Sequence, residues 1–168
     1  TAAGIQTPRL YAIFFKKTAG WTYQGSAPKS CDEWIRFLDQ MLPAEFVVKP
    51  ARGVYGKHVK VFRRHEQGFI DAFARSFTAK DIYEILMSDP LFDSSIIQEL
   101  LRSHQDLIRL SSTQALQTVR IVSFVDRNDR CHILNAEFKA IVGRNIIDNF
   151  SYGRTGNLLV DVCLDTGT

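Results

Sequence analysis

Short apolar runs separated by polar stretches predict a strand and then a helix in the first part of the chain. Leu10 to Phe15 is an apolar run rich in β-forming residues, which predicts a buried strand. Gly20 to Lys29 reads as a loop. Ser30 and Glu33 have capping-box spacing, so a helix is expected to begin there and to end at Pro43. Its predicted buried face consists of Trp34, Phe37, Leu38, Met41 and Leu42.

A β-hairpin is predicted next. Phe46 to Val48 form a short apolar strand, and Val59 and Val61 alternate with polar residues in a second one. The segment between them, Pro50 to Lys57, contains two glycines and predicts a long turn. Thr78 then caps a short helix, whose inward-facing residues are expected to be Ile82, Ile85 and Leu86.

The last part of the chain predicts a second hairpin. Val119 to Val125 and His132 to Ile141 read as antiparallel strands joined by a polar turn, and Leu158 to Val162 begins a last strand. Ile96 to Leu101 has apolar pairs that fit a helix better than an alternating strand, but periodicity does not decide a run this short. The mixture of helices and hairpins predicts an α+β fold.

Composition and charge narrow the function only slightly. The chain of 168 residues is 45% hydrophobic with a net charge of +3, which fits an anion-binding protein and equally a solvated basic surface. No apolar run approaches the roughly 20 residues that span a bilayer, and the first residues lack secretion-signal features. Cys31, Cys131 and Cys163 match no zinc spacing and predict reduced structural cysteines in a cytoplasmic protein.

The turn of the first hairpin is the main candidate for chemistry. Lys49 ends the first strand, and Gly53 and Gly56 let backbone N–H groups approach an anion. Arg52 and Lys57 add charge suited to a triphosphate. No Walker sequence follows the glycines, and the lysine precedes them, unlike in protein kinases. A basic glycine turn on a solvated surface explains the same residues, so both interpretations stay open at this point.

Two further sites are candidates on weaker grounds. Arg120 is the lone charge in an apolar strand and needs water, a carboxylate or a ligand as its partner. Asp148 and Asn149 lead from an apolar segment into a glycine loop and could orient a substrate or a hard cation. A solvated strand face and an ordinary turn are the alternatives, and the local sequence favours them. The four histidines are scattered, and no hydrolase pattern is present.

Taken in order, these segments resemble the ATP-grasp superfamily, and most of all its sugar-transfer-associated branch from bacterial polysaccharide gene neighbourhoods. The resemblance covers nearly the whole chain, and its specificity lies in the ordered set of segments. Those segments are Gly4 to Pro8, Phe46 to Phe62, Ile97 to Glu99, Gln117 to Ile121 and Asp148 to Ser151.

The resemblance implies a nucleotide site in which two lobes clamp ATP with Mg²⁺. Lys49 matches the lysine that touches the α- and β-phosphates, and Gly53 to Lys57 matches a mobile loop that folds over them. Gln98, Glu99 and Leu100 match an extended hinge that holds adenine, which overrules the helical spacing of that segment. Such enzymes phosphorylate a carboxylate, and an amine then attacks the acyl phosphate.

The remaining implied roles are a catalytic residue and a substrate loop. Arg120 matches the strand arginine that faces the phosphates or the acyl-phosphate oxygens. Asp148 and Asn149 match a loop specific to the branch. The resemblance divides the chain into the end of a first α/β lobe (1–45), the small ATP-grasp lobe (46–96) and the start of the large lobe (97–168).

Three departures from the family pattern make the chain look incomplete at both ends. The acidic metal site of the family is expected beyond residue 168, Arg154 replaces the second glycine of a pair, and a lysine is missing upstream of Gly4. Together with the absence of an initiating Met, these departures predict an internal fragment that is inactive alone, with exposed apolar surface that favours a homo-oligomer.

Three functions are compatible with the sequence. The first is the ATP-binding part of a carboxylate–amine ligase linked to polysaccharide biosynthesis, acting on an unidentified small-molecule or sugar-linked acceptor. The second is a catalytically inactive nucleotide-binding or scaffold module. The third, nucleic-acid binding through Lys57, Lys60, Arg63 and Arg64, is disfavoured because aromatic stacking residues are sparse there.

Overall fold

A computed structural model describes residues 4, 7–53 and 55–167. The chain divides into two compact units, residues 1–100 and residues 101–168, each with its own antiparallel sheet. Helices occur in both units, so the predicted α+β class is confirmed. Strands from both predicted lobes, 1–45 and 46–96, share the sheet of the first unit, and the three-part domain division stays a prediction.

The first unit is built on a seven-stranded sheet. Its strands are β1 (Leu10–Phe15), β2 (Trp21–Thr22), β3 (Glu45–Pro50), β4 (Lys60–His65), β5 (Gly68–Asp71), β6 (Ser76–Phe77) and β7 (Ser94–Glu99). Their order across the sheet is β2-β1-β7-β3-β4-β5-β6. The last of these strands along the chain, β7, therefore lies between β1 and β3, and it pairs antiparallel with both.

Two helices pack against one face of this sheet. They are α1 (Cys31–Gln40) and α2 (Ala79–Ser88). Phe14 of β1 makes edge-to-face contacts with Trp34 of α1 at 5.1 Å and with Tyr83 of α2 at 6.0 Å between ring centroids. Phe46 and Phe62 from the paired strands β3 and β4 are fully buried in the same cluster. Burial of these rings is the main driving force for folding of the unit.

Both helices begin where the sequence predicted. Ser30 accepts a hydrogen bond from Glu33 N, and the Glu33 carboxylate accepts one from Ser30 N at 3.0 Å. Thr78 and Asp81 form the equivalent capping box at α2. Each box satisfies backbone N–H groups that a helix start would otherwise leave without a partner.

The second unit contains a three-stranded antiparallel sheet. Its strands are β8 (Thr118–Val125), β9 (Cys131–Ala140) and β10 (Leu158–Asp161), with β9 in the middle. The predicted hairpin of β8 and β9 is confirmed, and so is the last strand. A short helix, α3 (Gln105–Ser111), precedes the sheet, and a single 3-10 turn at Ser151–Gly153 lies between β9 and β10.

Several local predictions were wrong. The segment Gly20 to Lys29, predicted as a loop, contains β2, because Thr22 and Trp21 pair with β1. Helix α1 ends at Gln40 rather than Pro43, so Met41 is the C-terminal cap and is exposed instead of buried. Strands β5 and β6 and helix α3 were not predicted at all, because short elements carry too little periodicity.

The cysteines also differ from the expectation of structural residues. Cys31, Cys131 and Cys163 are free, as predicted, but all three side chains are exposed, so none contributes to a core.

Candidate functional site

The two faces of the first sheet have different surroundings. Strand β3 alternates, so Phe46 and Val48 point to the helices while Val47 and Lys49 point to the opposite face. Pairing with β7 places Val47 opposite Gln98 and Lys49 opposite Ile96. Residues directly opposite each other share a face, so all four side chains lie on this second face, called here the open face.

The open face is an apolar platform that carries two polar groups. Its half-buried apolar residues include Ile13, Val47, Val61, Ile70 and Ile96. Lys49 and Gln98 are diagonal neighbours on this platform, across the central strands β3 and β7. An apolar floor with a few convergent polar groups is the usual composition of a small-molecule site.

The glycine loop continues directly from Lys49. Arg52, Gly53 and Lys57 are exposed, and the loop begins with a hydrogen bond from Ala51 N to Ser94 O at 3.0 Å. Gly56 has φ of 66°, a left-handed conformation that a residue with a Cβ adopts at a cost. The predicted phosphate-binding residues therefore lie together in one exposed loop that begins directly after Lys49.

The predicted hinge residues Gln98 and Glu99 differ in what their side chains contact. The segment is the extended strand β7, so the extended conformation implied by the family resemblance is confirmed. Glu99 N donates to Arg9 O at 2.8 Å, and its carboxylate accepts from Arg9 N at 3.0 Å. Burial, followed by the Glu99 charge, raises the pKa of Tyr11. The side chain of Glu99 is thus engaged with the protein, whereas Gln98 faces the open side and Leu100 follows the strand.

Arg120 belongs to the second unit and lies on an exposed strand surface. Strand pairing places it opposite Glu137, which is in turn opposite Asp161, so one face of this sheet carries a row of charged side chains. Thr118, two residues before Arg120 and on the same face, donates a hydrogen bond to Asp148 Oδ2. The predicted loop residue Asp148 therefore contacts the strand that carries the predicted catalytic residue.

The loop around Asn149 is held by a buried amide that sequence reasoning missed. Asn157 is 2% exposed, and its Nδ2 donates to Ile147 O at 2.8 Å and to Asn149 O at 3.0 Å. Its Oδ1 accepts from Val142 N at 3.1 Å and from Asn145 at 2.8 Å. With four hydrogen bonds, this side chain fixes the backbone course of the loop.

A known family accounts for this arrangement. The model of the sugar-transfer associated ATP-grasp family matches residues 1–168, the whole chain. The chain belongs to the sugar-transfer-associated ATP-grasp family. No curated protein and no solved structure matches it.

Membership in the sugar-transfer-associated ATP-grasp family gives a coarse function. It indicates ATP binding and a sugar-related role, and the predicted ATP-grasp-like fold is confirmed. The roles of individual residues stay predictions, including those of Lys49, Arg120 and the Asp148–Asn149 loop.

The described residues form neither a metal-binding cluster nor a membrane-spanning helix. In the described parts of both units, no group of three or more His, Cys, Asp or Glu side chains could hold a metal ion. Within the same ranges, no helix is long and apolar enough to cross a bilayer.

A side-chain pair beside the glycine loop was missed from the sequence. His58 Nδ1 lies 2.6 Å from Asp89 Oδ2, although the two residues are 31 positions apart. Burial raises the pKa of Asp89, but hydrogen bonds from Leu91 N, His58 and Phe92 N outweigh it and hold the pKa below its usual value. No spacing rule connects two residues that meet only through tertiary structure, so no sequence signal could have identified the pair.

Proposed function

We propose that this chain carries the nucleotide-binding part of an ATP-dependent carboxylate–amine ligase that acts on a sugar-linked acceptor. Family membership supports the class of reaction, and one structural observation supports the site. That observation is the open face, where a lysine ammonium and an amide side chain project from an apolar platform next to a glycine loop.

The donor set on the open face fits an adenine nucleotide. The Gln98 amide can donate and accept hydrogen bonds at adenine, with Val47 and Ile96 as apolar contacts for the ring. The Lys49 ammonium would bind the α- and β-phosphates, and the loop residues Arg52, Gly53, Gly56 and Lys57 would bind beyond it through charge and backbone N–H groups.

ATP would supply the phosphoryl group that activates a carboxylate. The residues of this chain would bind, orient and shield it, because a closed loop excludes the water that hydrolyses an acyl phosphate. Arg120 is our proposed catalytic residue, since a guanidinium can stabilise charge on phosphoryl or acyl-phosphate oxygens. Asp148 and Asn149 are proposed to shape the acceptor loop. Mg²⁺ is implied by the family, but the described residues offer no ligand cluster, so none is assigned to it.

Calorimetry with Mg-ATP tests the site, using Lys49→Ala and a matched lysine variant. Lys60 lies in the same hairpin but is paired with Val48, so it points to the opposite face from Lys49. We expect Lys49→Ala to weaken binding by about 10- to 100-fold, the equivalent of one charge-assisted hydrogen bond. Lys60→Ala should bind like the wild type. Equal losses in the two variants, or none in Lys49→Ala, would refute the proposed site.

A further inference from the structure

The glycine loop is anchored at its far end by the side chain of His58. The Nδ1 atom of His58 lies 2.6 Å from Asp89 Oδ2, and the imidazole ring packs edge-to-face against Phe92 with 5.4 Å between centroids. The anchor connects the loop to the segment between α2 and β7. Neither residue of this pair belongs to the proposed nucleotide-binding set.

The carboxylate of Asp89 is held in place by hydrogen bonds that do not involve His58. Its Oδ1 accepts hydrogen bonds from Leu91 N at 2.9 Å and Phe92 N at 3.3 Å, and its backbone oxygen accepts one from Lys16 Nζ. The side chain is only 13% exposed. Because Oδ1 is already engaged, Oδ2 is the oxygen that meets the loop, and its direction is fixed before His58 binds.

The backbone of His58 also indicates that the contact holds the loop in place. His58 has φ of 61°, in the left-handed region that residues with a side chain adopt at a cost. Such conformations persist where the surrounding structure determines them. The opposite end of the loop is tied by Ala51 N to Ser94 O at 3.0 Å. Between these two attachments lie Arg52, Gly53 and Lys57, all exposed.

We propose that His58 is a positioning residue for the phosphate-binding loop, acting through Asp89. By fixing the loop at its far end, the pair sets where Gly56 and Lys57 lie relative to Lys49, and so supports binding of the polyphosphate portion of a nucleotide. The inference rests on the proposed function, because it needs the loop to bind phosphates. It adds two residues, His58 and Asp89, that contact no part of the nucleotide themselves.

The test separates the polyphosphate from the nucleoside. Dissociation constants for Mg-ATP and for adenosine are measured by calorimetry on the wild type, His58→Asn and Asp89→Asn. Asn tolerates left-handed backbone, so His58→Asn removes the ring with little added strain. His65→Asn is the matched control, because His65 is exposed at the other end of β4. Melting temperatures and hydrogen exchange of loop amides are recorded on the nucleotide-free proteins.

We expect both test variants to bind Mg-ATP roughly tenfold more weakly through loss of loop preorganisation, with unchanged adenosine affinity and faster exchange of the loop amides. His65→Asn should match the wild type. Two results would overturn the positioning role alone, provided that the wild type binds Mg-ATP more tightly than adenosine. In the first, the test variants bind Mg-ATP as tightly as the wild type. In the second, they lose affinity for adenosine as much as for Mg-ATP and also have a lower melting temperature. A wild type that binds Mg-ATP no better than adenosine overturns the proposed function and the positioning role together.

Discussion

Two consecutive isoleucines in β7 are expected to have separate roles, because they lie on opposite faces of the sheet. Ile97 is fully buried between Ala12 and Val48 on the helix-covered face. Ile96 is half-buried on the open face, beside Lys49. Substituting Ile97 should therefore reduce stability, whereas substituting Ile96 should mainly reduce nucleotide binding.

The magnitudes follow from burial. Truncating a fully buried isoleucine to alanine removes its transfer free energy and leaves a cavity, so Ile97→Ala should cost about 2 to 5 kcal/mol. A half-buried side chain loses roughly half of its transfer free energy, so Ile96→Ala should cost only about 1 kcal/mol of stability. The same lost apolar contact should weaken Mg-ATP binding about fivefold in Ile96→Ala.

The assay is guanidinium unfolding followed by tryptophan fluorescence. Both tryptophans of the chain, Trp21 and Trp34, belong to the first unit, so the signal reports that unit alone. If Ile97→Ala does not fold, the milder variants Ile97→Val and Ile96→Val allow the same comparison. Ile97→Val should lower the free energy of unfolding by only about 0.5 to 1.5 kcal/mol. The reasoning is refuted if Ile96→Ala destabilises the unit as much as Ile97→Ala, or if the two variants lose Mg-ATP affinity equally.

Two further predictions concern stability. Asn157→Ala removes the side-chain partner of the Ile147 carbonyl and of the Val142 N–H, whereas the Asn149 carbonyl keeps its hydrogen bond from Thr155 Oγ1. The substitution should destabilise the second unit by about 2 to 4 kcal/mol, measured by loss of hydrogen-exchange protection in β9 and β10. Acid should destabilise the first unit. Burial raises the pKa of Asp71, but hydrogen bonds from Arg75 and Phe73 N outweigh it and hold the folded-state pKa below its usual value. A group with a depressed pKa stabilises the fold at pH values above its pKa in the unfolded state, and this stabilisation is lost as the pH falls. The melting temperature should therefore fall as the pH drops below about 4, and the fall should be smaller in Asp71→Asn. A melting temperature that rises on acidification would contradict this.

The elements with strong local signals could be predicted from the sequence. Leu10–Phe15 is a strand with the predicted bounds, because six apolar or aromatic residues in a row have few alternatives. The capping boxes at Ser30 and Thr78 located both helix starts, because each box is a local hydrogen-bond pattern. The end of α1 was misplaced because no residue there carries a comparably strong stop signal before Pro43.

Residue spacing alone gave the wrong preference for β7. Its apolar pairs fit a helix, but Ser94–Glu99 is an interior strand of the sheet, where strand pairing on both sides outweighs helical periodicity. The contact between His58 and Asp89 was missed for the same reason, and so were the four hydrogen bonds of Asn157. They depend on tertiary neighbours that the local sequence does not specify.

Strand register is what makes Lys49 a candidate for nucleotide binding. Because side chains alternate along a strand, burying Phe46 and Val48 under the helices forces Val47 and Lys49 onto the other face. A register slip of one residue between β3 and β7 would move Gln98 to the covered face and separate it from Lys49. The aromatic core that fixes this register and the candidate site that depends on it are therefore two consequences of one alternating pattern.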